Sequence, residues 1–111
     1  MTARAFDLPA RRDAYYGGAW HAPIDGRRDD TLNPGTGESL GPVSVGGAAD
    51  VDAAVAAAKA GFEAWRAVAP LERARVLRRV AAIVREHADE LAWLAAANCG
   101  HPVREMTRDA M

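Results

Sequence analysis

Cysteine is nearly absent from this sequence of 111 residues, which contains only Cys99. A single cysteine excludes a disulfide within the chain and is typical of a reducing compartment, so we predict a cytoplasmic location. No run of about 18 consecutive apolar residues occurs, and therefore no membrane-spanning helix is predicted. The formal net charge is −1, which favours neither nucleic acid nor an anionic membrane as a partner.

Large aromatic side chains are also scarce, with three tryptophans, two tyrosines and two phenylalanines. What the sequence has instead is helical periodicity over more than half of its length. In residues 50–65, apolar side chains recur at helical spacing: Val51, Ala54, Val55, Ala58, Phe62 and Trp65. Because these residues fall on one stripe at about 100° per residue, residues 50–65 are predicted to form an amphipathic helix.

Two further helices are predicted after a proline. Pro70 suits the first position of a helix and no interior position, so it separates the first helix from a second one over residues 70–86. A third helix over residues 89–98 is ended by Gly100, with Pro102 just beyond. These helices carry much apolar surface and need a partner surface to pack on.

The part before the helices indicates short strands. Residues 1–14 are predicted to be a mobile tail, and residues 15–20 a short strand with glycine at its middle. Thr31 and Leu32 are predicted to form a second short strand after a polar loop. A dense turn signal at residues 33–38 separates them from a third strand at residues 40–45. We therefore predict a short antiparallel β-hairpin or meander, followed by three to four α-helices.

Several motifs follow one another in an order that resembles the N-terminus of an aldehyde dehydrogenase. They are Tyr16-Gly17-Gly18-Ala19-Trp20, Leu32-Asn33-Pro34-Gly35-Thr36-Gly37-Glu38, Asp50-Val51-Asp52-Ala53-Ala54-Val55-Ala56-Ala57-Ala58, Phe62 to Trp65, Pro70-Leu71-Glu72-Arg73-Ala74, Ala88-Asp89-Glu90-Leu91-Ala92 and Asn98-Cys99-Gly100-His101-Pro102. The resemblance implies an α/β fold with a Rossmann-like cofactor domain. Residues 15–111 would be the N-terminal part of that domain, truncated within a helical pattern that begins after Pro102.

The resemblance also implies an activity, the NAD(P)-dependent oxidation of an aldehyde to a carboxylic acid. In that family a cysteine thiolate, a glutamate and an asparagine carry the chemistry, and all three lie in sequence that follows the matched region. We therefore expect no catalytic and no cofactor-binding residue in this chain, and no activity of the chain by itself. NAD or NADP is implied for the family, and the expected partner is the remainder of such a chain or a homo-oligomer.

One weak cation site is implied by the same resemblance. Some family members bind a monovalent cation through an acidic residue at the position of Asn98 and through backbone carbonyls that match Thr31 and Leu32. The family usually has lysine at the position of His101. Because the neutral amide of Asn98 holds a cation less well than a carboxylate would, these three residues are only weak candidates.

Two further features are assigned no function, and one alternative function remains open. Cys99 lies at a predicted helix C-terminus, where the partial negative charge disfavours a thiolate, so a catalytic role is not predicted. Gly46 and Gly47 precede a helix without any phosphate-binding motif and are interpreted as a loop. The alternative function is a free-standing α-rich module that binds a partner through exposed apolar helix faces.

Overall fold

The computed structural model describes residues 7–105, which form four short strands followed by three helices. The elements are β1 (Ala14–Tyr16), β2 (Ala19–His21), β3 (Arg28–Leu32), β4 (Ser39–Ser44), α1 (Ala48–Ala67), α2 (Pro70–Glu86) and α3 (Ala88–Cys99). Pairing of β1 with β2 and of β3 with β4 gives two antiparallel hairpins. The predicted order of strands and helices is confirmed. Residues 103–105 are helical, and the rest of the predicted last segment lies outside the described residues.

The chain divides into two compact units. Among the described residues, one unit comprises residues 7–9, 31–41 and 76–105, and the other comprises residues 10–30 and 42–75. The buried hydrophobic residues of the described part, Ala88 and Ala92, belong to the first unit. Both are small, so this part of the chain buries little apolar area of its own.

The first hairpin corrects the prediction for residues 15–20. The two glycines do not lie within a strand, because Gly17 and Gly18 have φ of +59° and +80° and form the turn between β1 and β2. Positive φ at both central positions is typical of a two-residue hairpin turn and matches the right-handed twist of the flanking strands. Tyr15 then lies opposite Trp20, and their rings meet edge to face at 5.2 Å.

The second hairpin corrects the prediction of a polar loop that extends to residue 30. β3 begins at Arg28, and the carboxylate of Asp13 accepts hydrogen bonds from the Arg28 guanidinium and, at 2.6 Å, from the hydroxyl of Ser44. The amide of Ser44 donates to the carbonyl of Arg12 at 3.1 Å. Of the predicted tail, residues 1–6 lie outside the described residues, whereas the residues next to β1 are bonded to both strands of the second hairpin.

The contacts of Asp13 predict a pH dependence of stability. The Ser44 hydroxyl and the Arg28 guanidinium lower the pKa of Asp13 below its ordinary value of 3.8. A carboxyl with a lower pKa in the folded state stabilises the fold above its unfolded-state pKa, and this contribution is lost as the pH falls through the folded-state value. We expect Asp13→Asn to remove part of the acid destabilisation below about pH 4, measured by urea unfolding at several pH values. Equal pH dependence in wild type and Asp13→Asn would contradict this, and the exposed Asp29→Asn serves as the control.

The helices follow their predicted bounds within two residues. α2 begins at Pro70 and ends at Glu86 as predicted. α3 ends at Cys99 and is followed by its cap Gly100, which has φ of +75° and donates its amide hydrogen to the carbonyl of Ala96 at 2.8 Å. Glycine adopts this left-handed conformation readily, which is why it ends helices. In the part of the chain that the structure describes, none of the helices has the length and apolarity needed to cross a membrane.

Candidate functional site

The weak cation candidates lie at the ends of two elements of one unit. Thr31 and Leu32 are the last residues of β3, and Asn98 is in the last turn of α3. A side chain at Gly100 would place its Cβ 3.0 Å from Cγ of Pro34, so the end of α3 packs on the turn that follows β3. The two chain segments that carry the candidates are therefore neighbours.

The donor set of these candidates is poor. It consists of a neutral amide and backbone carbonyls, whereas a hard cation is held best with the help of carboxylate oxygens. Within residues 7–105, no group of three or more His, Cys, Asp or Glu residues is arranged to hold a metal ion. The cation site at Thr31, Leu32 and Asn98 stays a prediction.

Cys99 is the last residue of α3 and is exposed. The side-chain amide of Asn98 lies next to it, with Nδ2 at 3.9 Å from Sγ. The absence of a catalytic role for Cys99 stays a prediction.

The N-terminus of α1 contains the one buried charged side chain among the described residues. Asp50 is 6% exposed, and its Oδ1 accepts a hydrogen bond from the amide of Ile24 at 3.0 Å. Its Oδ2 accepts a hydrogen bond from the amide of Gly47, the residue that caps α1, at 2.9 Å. A helix N-terminus attracts anions through its free amides, and here the chain supplies that anion itself. The loop interpretation of Gly46 and Gly47 agrees with this arrangement.

Sequence reasoning missed the role of Asp50. A local signal was present, because an acidic residue three positions after a helix cap is typical of a capping box. The contact with Ile24 joins positions 26 residues apart, and no local pattern predicts it.

Two apolar surfaces remain uncovered, one in each unit. The first, which we call the α1 seam, consists of exposed residues at helical spacing: Val51, Val55, Ala58, Phe62 and Trp65. Phe62 is 60% exposed, and an open depression runs beside it, lined by Val55, Ala58, Lys59, Phe62 and Glu63. The second, the α2 face, consists of Val76, Leu77, Val80, Ile83 and Val84, all of them exposed. Large exposed apolar surfaces mark sites of interaction with another surface, so this arrangement is suited to binding.

Comparison with known proteins identifies similar chains. The model of the aldehyde dehydrogenase family matches residues 20–111. Aldehyde dehydrogenase tropH of Talaromyces stipitatus is 45% identical over 103 residues, which are 93% of this chain and 20% of tropH. These two findings confirm the resemblance and extend it over nearly the whole chain.

Solved structures agree with this result. Succinate-semialdehyde dehydrogenase from Burkholderia pseudomallei superposes with a TM-score of 0.88 at 35% identity, over 96% of this chain and 23% of that one. PnpE from Pseudomonas sp. WBC-3, solved in complex with nicotinamide adenine dinucleotide, gives a TM-score of 0.83 at 37% identity, over 87% of this chain and 20% of its own. The chain thus spans about a fifth of the length of these relatives and matches their N-terminal part.

Proposed function

Because the chain belongs to the aldehyde dehydrogenase family, we propose that it acts as the N-terminal part of the cofactor-binding domain of an NAD(P)-dependent aldehyde dehydrogenase. Its hairpins and helices would cover the outside of that domain, and its own apolar helix faces would pack on the remainder of the enzyme. In this function the chain contributes structure, while the groups that bind the aldehyde and carry out the oxidation come from the remainder.

The observation that supports this proposal most is the exposure of the α1 seam and the α2 face. The hydrophobic residues buried within the described part are two alanines, Ala88 and Ala92. Full burial of a valine, leucine or phenylalanine side chain stabilises a protein by about 1.5–3 kcal/mol relative to leaving it exposed. A chain that leaves so many such residues in water gains stability from any surface that covers them.

We propose that the described residues hold no dinucleotide. A phosphate group binds at a helix N-terminus whose amides are free, and the N-terminus of α1 holds the carboxylate of Asp50 instead. When NAD(P) is bound in an aldehyde dehydrogenase, it accepts the hydride removed from the aldehyde. We therefore assign no catalytic and no cofactor-binding residue to this chain, and we expect no oxidation of aldehydes by the chain alone.

Location and partners follow from the same proposal. The proposed partner is the remainder of an aldehyde dehydrogenase, and the proposed location is the cytoplasm, supported by the single cysteine. Neither nucleic acid nor a membrane is proposed as a partner of a chain with a net charge of −1. The family match and the extended similarity to aldehyde dehydrogenases do not favour a free-standing binding module.

The proposal predicts how the isolated chain behaves. Purified chain is expected to bind the hydrophobic dye ANS and to give no aldehyde-dependent formation of NADH or NADPH with succinate semialdehyde. Leu77→Glu places a charge on the α2 face and is expected to reduce the dye fluorescence about twofold or more, because charged surfaces bind ANS poorly. Ala82→Glu is the matched control, since Ala82 is exposed on the opposite side of α2. Dye-silent chain, or oxidation of the aldehyde by the chain alone, would overturn the proposal.

A further inference from the structure

We draw no further inference here: the strongest candidate, the exposed α1 seam with the open depression beside Phe62, carries none because nothing in the structure shows what covers this helix face.

Discussion

Replacement of Asp50 with alanine is expected to lower the free energy of unfolding by about 3 kcal/mol, since each hydrogen bond to a charged group contributes about 1.5–3 kcal/mol. The variant leaves the amides of Ile24 and Gly47 without their carboxylate partner and removes the capping-box contact at the start of α1. In Asp50→Asn one amide oxygen still accepts a hydrogen bond, so about half of that loss is expected. Urea unfolding followed by circular dichroism at neutral pH measures both differences.

Asp52 provides the matched control for Asp50. It lies two residues further along α1 and is exposed, so Asp52→Ala is expected to change the free energy of unfolding by less than about 0.5 kcal/mol. Hydrogen exchange gives a second measurement that does not depend on complete unfolding. In wild type the amides of Ile24 and Gly47 should exchange slowly, and both should exchange faster in Asp50→Asn. Equal effects of the two alanine variants would contradict the role assigned to Asp50.

Replacement of Gly100 with alanine is expected to lower the free energy of unfolding by about 2–3 kcal/mol. Two effects add: a φ of +75° costs a residue with a side chain about 1–2 kcal/mol, and the new Cβ would lie 3.0 Å from Cγ of Pro34. Gly37→Ala separates them, because Gly37 has nearly the same φ, +74°, and open space around its Cβ position. We expect Gly37→Ala to cost about 1 kcal/mol, the contribution of the backbone alone.

A double variant tests the contact itself. Pro34→Ala removes the atom that a Cβ at Gly100 would meet, so Gly100→Ala should cost less in a Pro34→Ala background than in wild type. Strictly additive losses in the same urea unfolding measurement would mean that the end of α3 does not pack on the turn after β3. The inference that the cation candidates Thr31, Leu32 and Asn98 lie close together would then fail as well.

The helices were predictable because their signals are local. Pro70 sets the start of α2, Gly100 sets the end of α3, and the apolar periodicity of α1 continues without interruption. The strands were less predictable, since a three-residue strand is too short to show a period. Gly17-Gly18 was interpreted as the middle of one strand, whereas two adjacent glycines between strand-forming residues are also a hairpin turn signal. The second interpretation is correct.

Tertiary contacts account for what the sequence did not predict. The beginning of β3 is polar, with Arg28-Asp29-Asp30, and this composition predicts a loop. The contact between Arg28 and Asp13 joins positions 15 residues apart, and the contact of Ser44 with Asp13 joins positions 31 apart. No local sequence pattern in these segments predicts which residue each one contacts. The same is true of Asp50, which differs from Asp52 only in its surroundings.

The family was identified from the order in which several short motifs follow one another along the chain, and not from a catalytic motif. Each short motif is weak evidence by itself, yet their sequence along the chain was enough to identify the family. The exposure of the α1 seam followed from the sequence only in part. Periodicity predicts an apolar stripe, but it does not say whether the stripe is covered within the same chain. In the structure Phe62 is exposed to solvent. The apolar stripe of α1 is therefore a candidate interface and not part of a core within this chain.

The most direct test of the account is a chimera of succinate-semialdehyde dehydrogenase from Burkholderia pseudomallei. In this chimera the matching segment, 23% of that enzyme, is replaced by this chain. The account predicts a folded chimera that oxidises succinate semialdehyde, because the exchanged segment supplies covering structure and no catalytic group. Phe62→Glu in the chimera should reduce soluble, active enzyme at least about tenfold by placing a charge in a buried contact, and Ala60→Glu should not. A chimera that carries Phe62→Glu and remains as soluble and active as the unmodified chimera would contradict the account.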